Sequence, residues 1–381
     1  VRLEAPIPPS VLEAIRAPFE ATPAQTLDAP VLQPLGLLLD LAGETLRERL
    51  FVVQSLDGGP EACLRTDFTI PALRAHIASG RAAGRYLYAG HAFRRAPPGS
   101  ERAEEFPQIG MEAFEPGDPV LADADIAALA WTAAIAGGRD DLTLTMGDVG
   151  LFAAFVEALD LPAPLASRLT RAFSSPRQLW AELQSSLAPA ETAGPRNGAR
   201  LAGLLAGLPE AESLAVLEEI WSVAGIEPVG GRSAAEIVHR LAERARLAVS
   251  PRLTIAQADL IRRFLGVAGA PEAALAAVAA LAPSPSQALE NARGAWSRRV
   301  SALEAAGVPP ERLRFSAAFG RAFGYYDGMV FEVRSAGLGD AQPVAAGGRY
   351  DSLPGKLGAQ LETGAVGCMV RPGRAWAQAR P

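Results

Sequence analysis

Arg321-Ala-Phe-Gly-Tyr325-Tyr326-Asp-Gly-Met-Val-Phe-Glu-Val333 is followed, after a short loop, by Ala346-Gly-Gly-Arg-Tyr-Asp-Ser-Leu353. Met329, Phe331 and Val333 alternate with Val330 and Glu332, the two-residue period of a strand. An arginine and a tyrosine pair precede this strand, and a Gly-Gly-Arg-Tyr-Asp turn follows it. Polar groups set this close to apolar strands need partners, either one another or a ligand, because a buried unpaired polar group is costly.

Upstream, Val11, Ile15 and Phe19 have helical spacing after Pro8-Pro9-Ser10. Phe51-Val52-Val53 reads as a short strand, and Asp57-Gly58-Gly59 as a hairpin-type turn. Leu64 to Thr69 leads through Ile70-Pro71 into a helix. Residues 85–95 alternate like a strand, 96–105 form a loop rich in Pro, Gly, Ser and Glu, and Phe106 to Phe114 resumes as a strand. A loop between two paired strands is placed to cover a ligand. A helix is expected over 124–135 and a strand over Leu142–Met146, with further strands at Leu313–Ala317 and Met329–Val333. Between about 151 and 310 alanine, leucine and arginine dominate. Leu289, Ala292, Trp296, Val300 and Leu303 keep helical spacing there. The expected organisation is an α+β core domain from 1–150 and 286–381, interrupted by a mostly helical insertion over 151–285.

Composition narrows the function. Hydrophobic residues are 49% and charged residues 20%, which supports a packed soluble chain. The net charge of −6 supplies no basic field for nucleic acid. Lys356 is the only lysine and is followed by Leu357, so a Gly-x-x-x-x-Gly-Lys-Ser/Thr phosphate loop is ruled out. Cys63, Cys368, His76, His91 and His239 fall at spacings that make no metal motif, and no metal or cofactor is expected. The N-terminus lacks the pattern of a signal peptide. The longest apolar run, Ala273 to Ala282, is too short to span a membrane. A cytoplasmic protein with reduced cysteines follows.

Several polar residues lie within the strand patterns. Gln108 and Glu112 are four apart and share one face of an unbroken strand. Asp67 and Thr69, two apart, also share a face, and Arg94 closes the run Tyr86–Phe93. With Arg321, Tyr325 and Tyr326 they offer carboxylates, an amide, guanidiniums and phenols. That set suits a zwitterionic amino acid. Any one of them alone is more often a solvated group, a structural ion pair or a core anchor with a wet hydroxyl.

Together these segments resemble the histidyl-tRNA synthetase family across nearly the whole catalytic domain. Leu64-Arg65-Thr66-Asp67-Phe68-Thr69 is similar to the family's Leu-Arg-Pro-Glu-x-Thr. Phe93-Arg94 through Phe106-Pro107-Gln108-Ile109-Gly110-Met111-Glu112 is similar to class II motif 2. Arg321 to Glu332 and Gly347-Gly348-Arg349-Tyr350-Asp351 are similar to the two histidine-binding signatures. The resemblance implies a class II synthetase-like antiparallel sheet flanked by helices. It also implies a histidine pocket lined by Asp67, Thr69, Arg94, Gln108, Glu112, Arg321, Tyr325 and Tyr326. By the family's logic Glu112 and Gln108, with Asp67 and Thr69, hold the ammonium end. Arg94 and Arg321 face the carboxylate, and Tyr325 and Tyr326 approach the imidazole.

The departures concern the nucleotide. Ala96 stands where the family's Arg-x-Glu has glutamate, and Glu104 where it has a second loop arginine. Acidic loop residues repel a triphosphate. Gly364 to Arg371-Pro372 is shorter than motif 3, and Pro372 is unfavourable inside a helix. Only 28 residues follow Leu353, so no anticodon-binding domain is expected. An amino-acid pocket with a damaged ATP site resembles the regulatory-subunit family of ATP phosphoribosyltransferase, the first enzyme of histidine biosynthesis. That resemblance implies a non-catalytic subunit with two partners: histidine as ligand and a short-form catalytic subunit to activate. It further implies feedback inhibition by histidine and a homodimer within a hetero-oligomer. The same motifs leave open a truncated or diverged histidyl-tRNA synthetase, an amino-acid-adenylating paralogue, or a stand-alone histidine-binding module. ATP–pyrophosphate exchange separates the enzyme readings, and activation of a transferase subunit on mixing separates the last.

Overall fold

The computed structural model describes residues 1–42, 44–54, 59, 61–97, 99–173, 175–187, 208, 212–216, 219–220, 252–320, 325–339, 341–359 and 363–378. Strands numbered along the chain form two sheets. The small sheet joins β2 (Leu32–Pro34), β3 (Val52–Val53) and β4 (Ala62–Leu64), with β4 central and both pairings antiparallel. Of the turn expected at Asp57–Gly59, only Gly59 lies within the described residues.

The large sheet contains β1 (Gln25–Thr26), β5 (Gly84–Phe93), β6 (Glu105–Glu115), β7 (Leu142–Asp148), β8 (Ala268–Gly269), β9 (Leu313–Ser316), β10 (Met329–Ser335), β11 (Ala345–Arg349) and β12 (Gly364–Val370). Their order is β1-β5-β6-β12-β11-β10-β7-β9-β8. The run from β5 to β7 is antiparallel throughout, and among the described strands β1–β5 and β7–β9 pair in parallel. This is the expected α+β, synthetase-like sheet. At its centre β11 and β12 are built from small residues. A Cβ on Gly347 would lie 2.2 Å from the carbonyl oxygen of Gly367 and 2.7 Å from the Phe331 ring, so neighbouring strands could not close on a larger residue.

Helices cover both faces. Helix α4 (Pro119–Ile135) runs along β11 and β12 and packs on α1 (Pro9–Glu20) and on α10 (Gln287–Ala305). It starts earlier than the expected 124. Asp118 caps it, its carboxylate accepting from Val120 N at 2.9 Å, and Pro119 occupies the first turn. On the opposite face α2 (Leu35–Ala42) and α3 (Thr69–Ser79) enclose a core of Leu38, Leu73, Tyr86, Phe114, Tyr325 and Tyr350.

The chain forms two compact units: 1–159, 173–176 and 260–381 in the first, and 160–172 and 177–259 in the second. Residues 151–159, 173–176 and 260–285, expected in the insertion, therefore belong to the first unit. Apolar packing and strand pairing explain the shift. Asp148 caps α5 (Val149–Ala158), whose Phe152 and Phe155 are buried. Phe264 stacks on Phe155 at 4.4 Å, Phe173 stacks on Phe152 at 4.4 Å, and β8 pairs with β9. The alanine-rich helices on either side of these joints look alike in sequence, which conceals the boundary. In the second unit α6 (Ala163–Ala172) buries Leu165 and Leu169, and Arg168 pairs with Glu182 of α7 (Pro176–Leu187) at 2.7 Å.

Candidate binding site

On the sheet face shared with α3, a pocket is lined by Asp67, Thr69, Arg94, Glu112, Tyr325 and Tyr326, six of the eight residues expected there. Arg321 lies outside the described residues. Gln108 stands on the same face of β6 as Glu112 but does not line the pocket. It is fully buried, and among the described residues neither its side-chain oxygen nor its nitrogen has a hydrogen-bond partner. Asp67 and Thr69 do not sit on a strand as expected. β4 ends at Leu64, Asp67 occupies a turn, and Thr69 is the first residue of α3. The turn nevertheless brings both to the pocket.

Tyr88, Cys368, Gly367 and Met369 also line the cavity, and Tyr350 reaches Glu112 from behind. The sequence reading assigned none of these. Tyr350 was visible within Gly-Gly-Arg-Tyr-Asp, and Tyr88 follows from the two-residue step of β5.

Glu112 is the most buried of the pocket's acidic and basic side chains, 2% exposed. Thr69 Oγ1 donates to its Oε1 at 2.8 Å, and the Tyr350 hydroxyl donates to its Oε2 at 2.5 Å. Burial pushes this carboxyl up to about 8. The hydroxyl donations from Tyr350 and Thr69 pull the other way, and nearby Asp67 adds to the rise. Burial likewise raises the phenols of Tyr88, Tyr325 and Tyr350 well above their ordinary value, so they remain donors. Tyr88 donates to the Cys368 carbonyl at 3.0 Å and its ring stacks on Phe68 at 4.3 Å. The rings of Tyr325 and Tyr326 are 4.7 Å apart, and Tyr350 meets both edge-on.

Nearer the mouth, Arg94 Nη2 is 3.9 Å from Asp67 Oδ2, and Arg94 Nε donates to the Thr66 carbonyl at 2.9 Å. Arg349, adjacent to Tyr350, points to the other face of the sheet. It donates to Asp123 at 2.7 Å, to Asp351 at 2.9 Å and to the Pro119 carbonyl at 2.9 Å. Gly347, Gly348 and Arg349 thus lie in β11 and not in the expected turn, and the end of this strand sends Tyr350 to the pocket and Arg349 into the α4 layer.

The segments in which the sequence departs from the synthetase pattern are engaged in internal contacts. Gly364–Val370 is the strand β12, and Pro372 opens the short helix Pro372–Ala375, where proline is tolerated, instead of interrupting a helix. Arg371 is 4% exposed, donates to Glu4 Oε1 at 2.8 Å and lies 3.4 Å over the Phe106 ring. Glu104 accepts from the backbone of Ala96 and of Arg2, each at 3.1 Å, so it fastens the base of the loop. Among the described residues no group of three His, Cys, Asp or Glu side chains could hold a metal ion, and no helix is long and apolar enough to cross a membrane.

A family model for histidyl-tRNA synthetase matches residues 25–213 and 212–372. The ATP phosphoribosyltransferase regulatory subunit of Agrobacterium fabrum is 38% identical over 352 residues, covering 92% of this chain and 91% of that protein. That of Mesorhizobium japonicum is 37% identical over 369 residues, covering 95% of each. Among solved structures, an ATP phosphoribosyltransferase regulatory subunit/histidyl-tRNA synthetase from Bacillus halodurans aligns with a TM-score of 0.63 at 18% identity, covering 97% of this chain and 78% of that one. A histidine–tRNA ligase subunit from Alicyclobacillus acidocaldarius aligns with a TM-score of 0.55 at 21% identity, covering 99% and 98%. At these identities the structural likeness speaks for the fold alone.

Proposed function

The chain belongs to the family of ATP phosphoribosyltransferase regulatory subunits, and from that premise we propose that it senses histidine in the Glu112 pocket and transmits its occupancy to a catalytic partner. In this reading it activates a short-form catalytic subunit, mediates feedback inhibition by histidine and performs no chemistry itself. It works in the cytoplasm as a homodimer within a hetero-oligomer.

One contrast carries the reading. Asp67, Thr69, Arg94, Glu112, Tyr325 and Tyr326 form a polar pocket, whereas Arg371, at the end of the stretch that is shorter than motif 3, is buried against Glu4. The first group can recognise an amino acid; the second leaves little to hold a triphosphate. Depth sorts the roles differently from the motif order. Asp67 and Arg94, with side chains 13% and 18% exposed, suit the ammonium and carboxylate near the mouth. Glu112 lies deeper, with Tyr88 and Tyr350 hydrogen-bonded around it, and suits the imidazole.

Calorimetry of the isolated chain with L-histidine, joined to a transferase assay on mixing with the catalytic subunit, tests the proposal. Histidine binding, activation on mixing and histidine-dependent inhibition are the expected results. Robust histidine-dependent ATP–pyrophosphate exchange by the chain alone would overturn its non-catalytic assignment.

A further inference from the structure

Among the described residues no cation touches the buried carboxyl of Glu112. Its oxygens meet only hydroxyls, Thr69 on one and Tyr350 on the other. The titratable and charged groups around it come from every packed element: Asp67 from the turn before α3, Tyr88 from β5 and Arg94 beyond its end, Tyr325 and Tyr326 before β10, Tyr350 after β11, and Cys368 from β12. Among the described residues none brings a positive nitrogen into contact with Glu112; Arg94 is directed at Asp67 and the Thr66 carbonyl.

An ionised carboxylate held away from water, with no counter-ion among the described residues, is unfavourable, which favours a protonated Glu112 in the pocket without ligand. Burial accounts for the raised value of about 8. We propose that Glu112 and the basic side chain of the bound amino acid hold one proton between them, so that the pocket selects a titratable base and binds it most tightly around neutral pH. This rests on reading the pocket as a histidine site.

Proton bookkeeping fixes the behaviour. Near neutral pH the empty pocket carries the proton on Glu112 and free imidazole is mainly neutral. On binding, the carboxyl O–H proton is donated to a ring nitrogen. The carboxylate left behind is held by Tyr350 and Thr69, and no proton is exchanged with solvent. Above the value for Glu112 the complex must take up a proton. Below that of free imidazole it must release one. On either side affinity falls by about tenfold per pH unit.

Calorimetry with L-histidine, in buffers of different ionisation heat, counts these protons. The unmodified chain should exchange close to none at neutral pH and take up a proton as pH rises through the Glu112 range. Glu112→Gln should lose that uptake, keeping only the contribution of the ligand's own amino group. Tyr350→Phe should move the alkaline limb to higher pH, because the phenol's donation favours the ionised carboxyl; a merely structural loss would weaken binding equally at every pH. Equal proton counts in the unmodified chain and both variants, with histidine still bound, would overturn proton sharing and leave the histidine site standing. Absence of histidine binding to the unmodified chain at every pH would overturn both.

Discussion

A methyl group on Gly367 would lie 1.6 Å from Glu112 Oε2 and 2.4 Å from its carboxyl carbon. The strand and the carboxyl cannot both stay in place, so Gly367→Ala should weaken histidine binding about tenfold or more in calorimetry, an effect of 1.4 kcal/mol or greater. Glu112 also links stability to pH. Its folded value, about 8, is raised from 4.5, so the folded chain holds a proton that the unfolded chain has lost. The contribution is fully present below the unfolded value and disappears as pH rises through the folded one, at up to roughly 1.4 kcal/mol per pH unit. Urea denaturation of the unmodified chain and of Glu112→Gln should therefore diverge between about pH 5 and about pH 8.5, with the unmodified chain losing a few kcal/mol relative to the variant. Parallel curves would show that Glu112 is already ionised in the empty pocket.

At the scale of elements, the back of the sheet is tied together by charge. Asp123 on α4 takes Arg349 of β11 on one oxygen at 2.7 Å and Arg299 of α10 on the other at 2.8 Å, and its side chain is fully buried. Asp148, which caps α5, accepts from Trp296 of α10 at 2.8 Å. Asp123→Ala leaves two guanidiniums buried without their shared partner, and should cost about 3–5 kcal/mol in urea denaturation. Asp123→Asn, which keeps the shape, should cost less. This layer was only partly legible in the sequence. Two-residue alternation marked β5, β6 and β10 and put Gln108 and Glu112 on one face, because local geometry fixes that pattern. Contacts such as Arg299–Asp123, 176 residues apart, leave no local trace. The same limit explains the misplaced edges of the insertion and the reading of Asp67 and Thr69 as strand residues. Two residues, Arg65 and Thr66, separate the end of β4 from Asp67, and period alone cannot tell a strand's end from a helix's first turn.

For the whole molecule the question is how occupancy of one small pocket alters a partner's activity. Histidine can shift the assembly only through a difference in affinity between its active and inhibited arrangements. Reciprocity makes that difference measurable from either side: whatever factor histidine imposes on binding of the catalytic subunit, the catalytic subunit imposes on binding of histidine. Calorimetric affinities for histidine in the free chain and in the reconstituted complex should therefore differ, by about 5–150-fold for couplings of ordinary size. Identical affinities would mean that the Glu112 pocket does not carry the inhibition, however tightly it binds. Asp67→Ala adds the residue-level control. Loss of a carboxylate near the pocket mouth should raise the half-inhibiting histidine concentration about tenfold, the scale expected for a lost charge-assisted contact. A variant that bound histidine more weakly yet kept an unchanged inhibition curve would move the effector site elsewhere in the assembly.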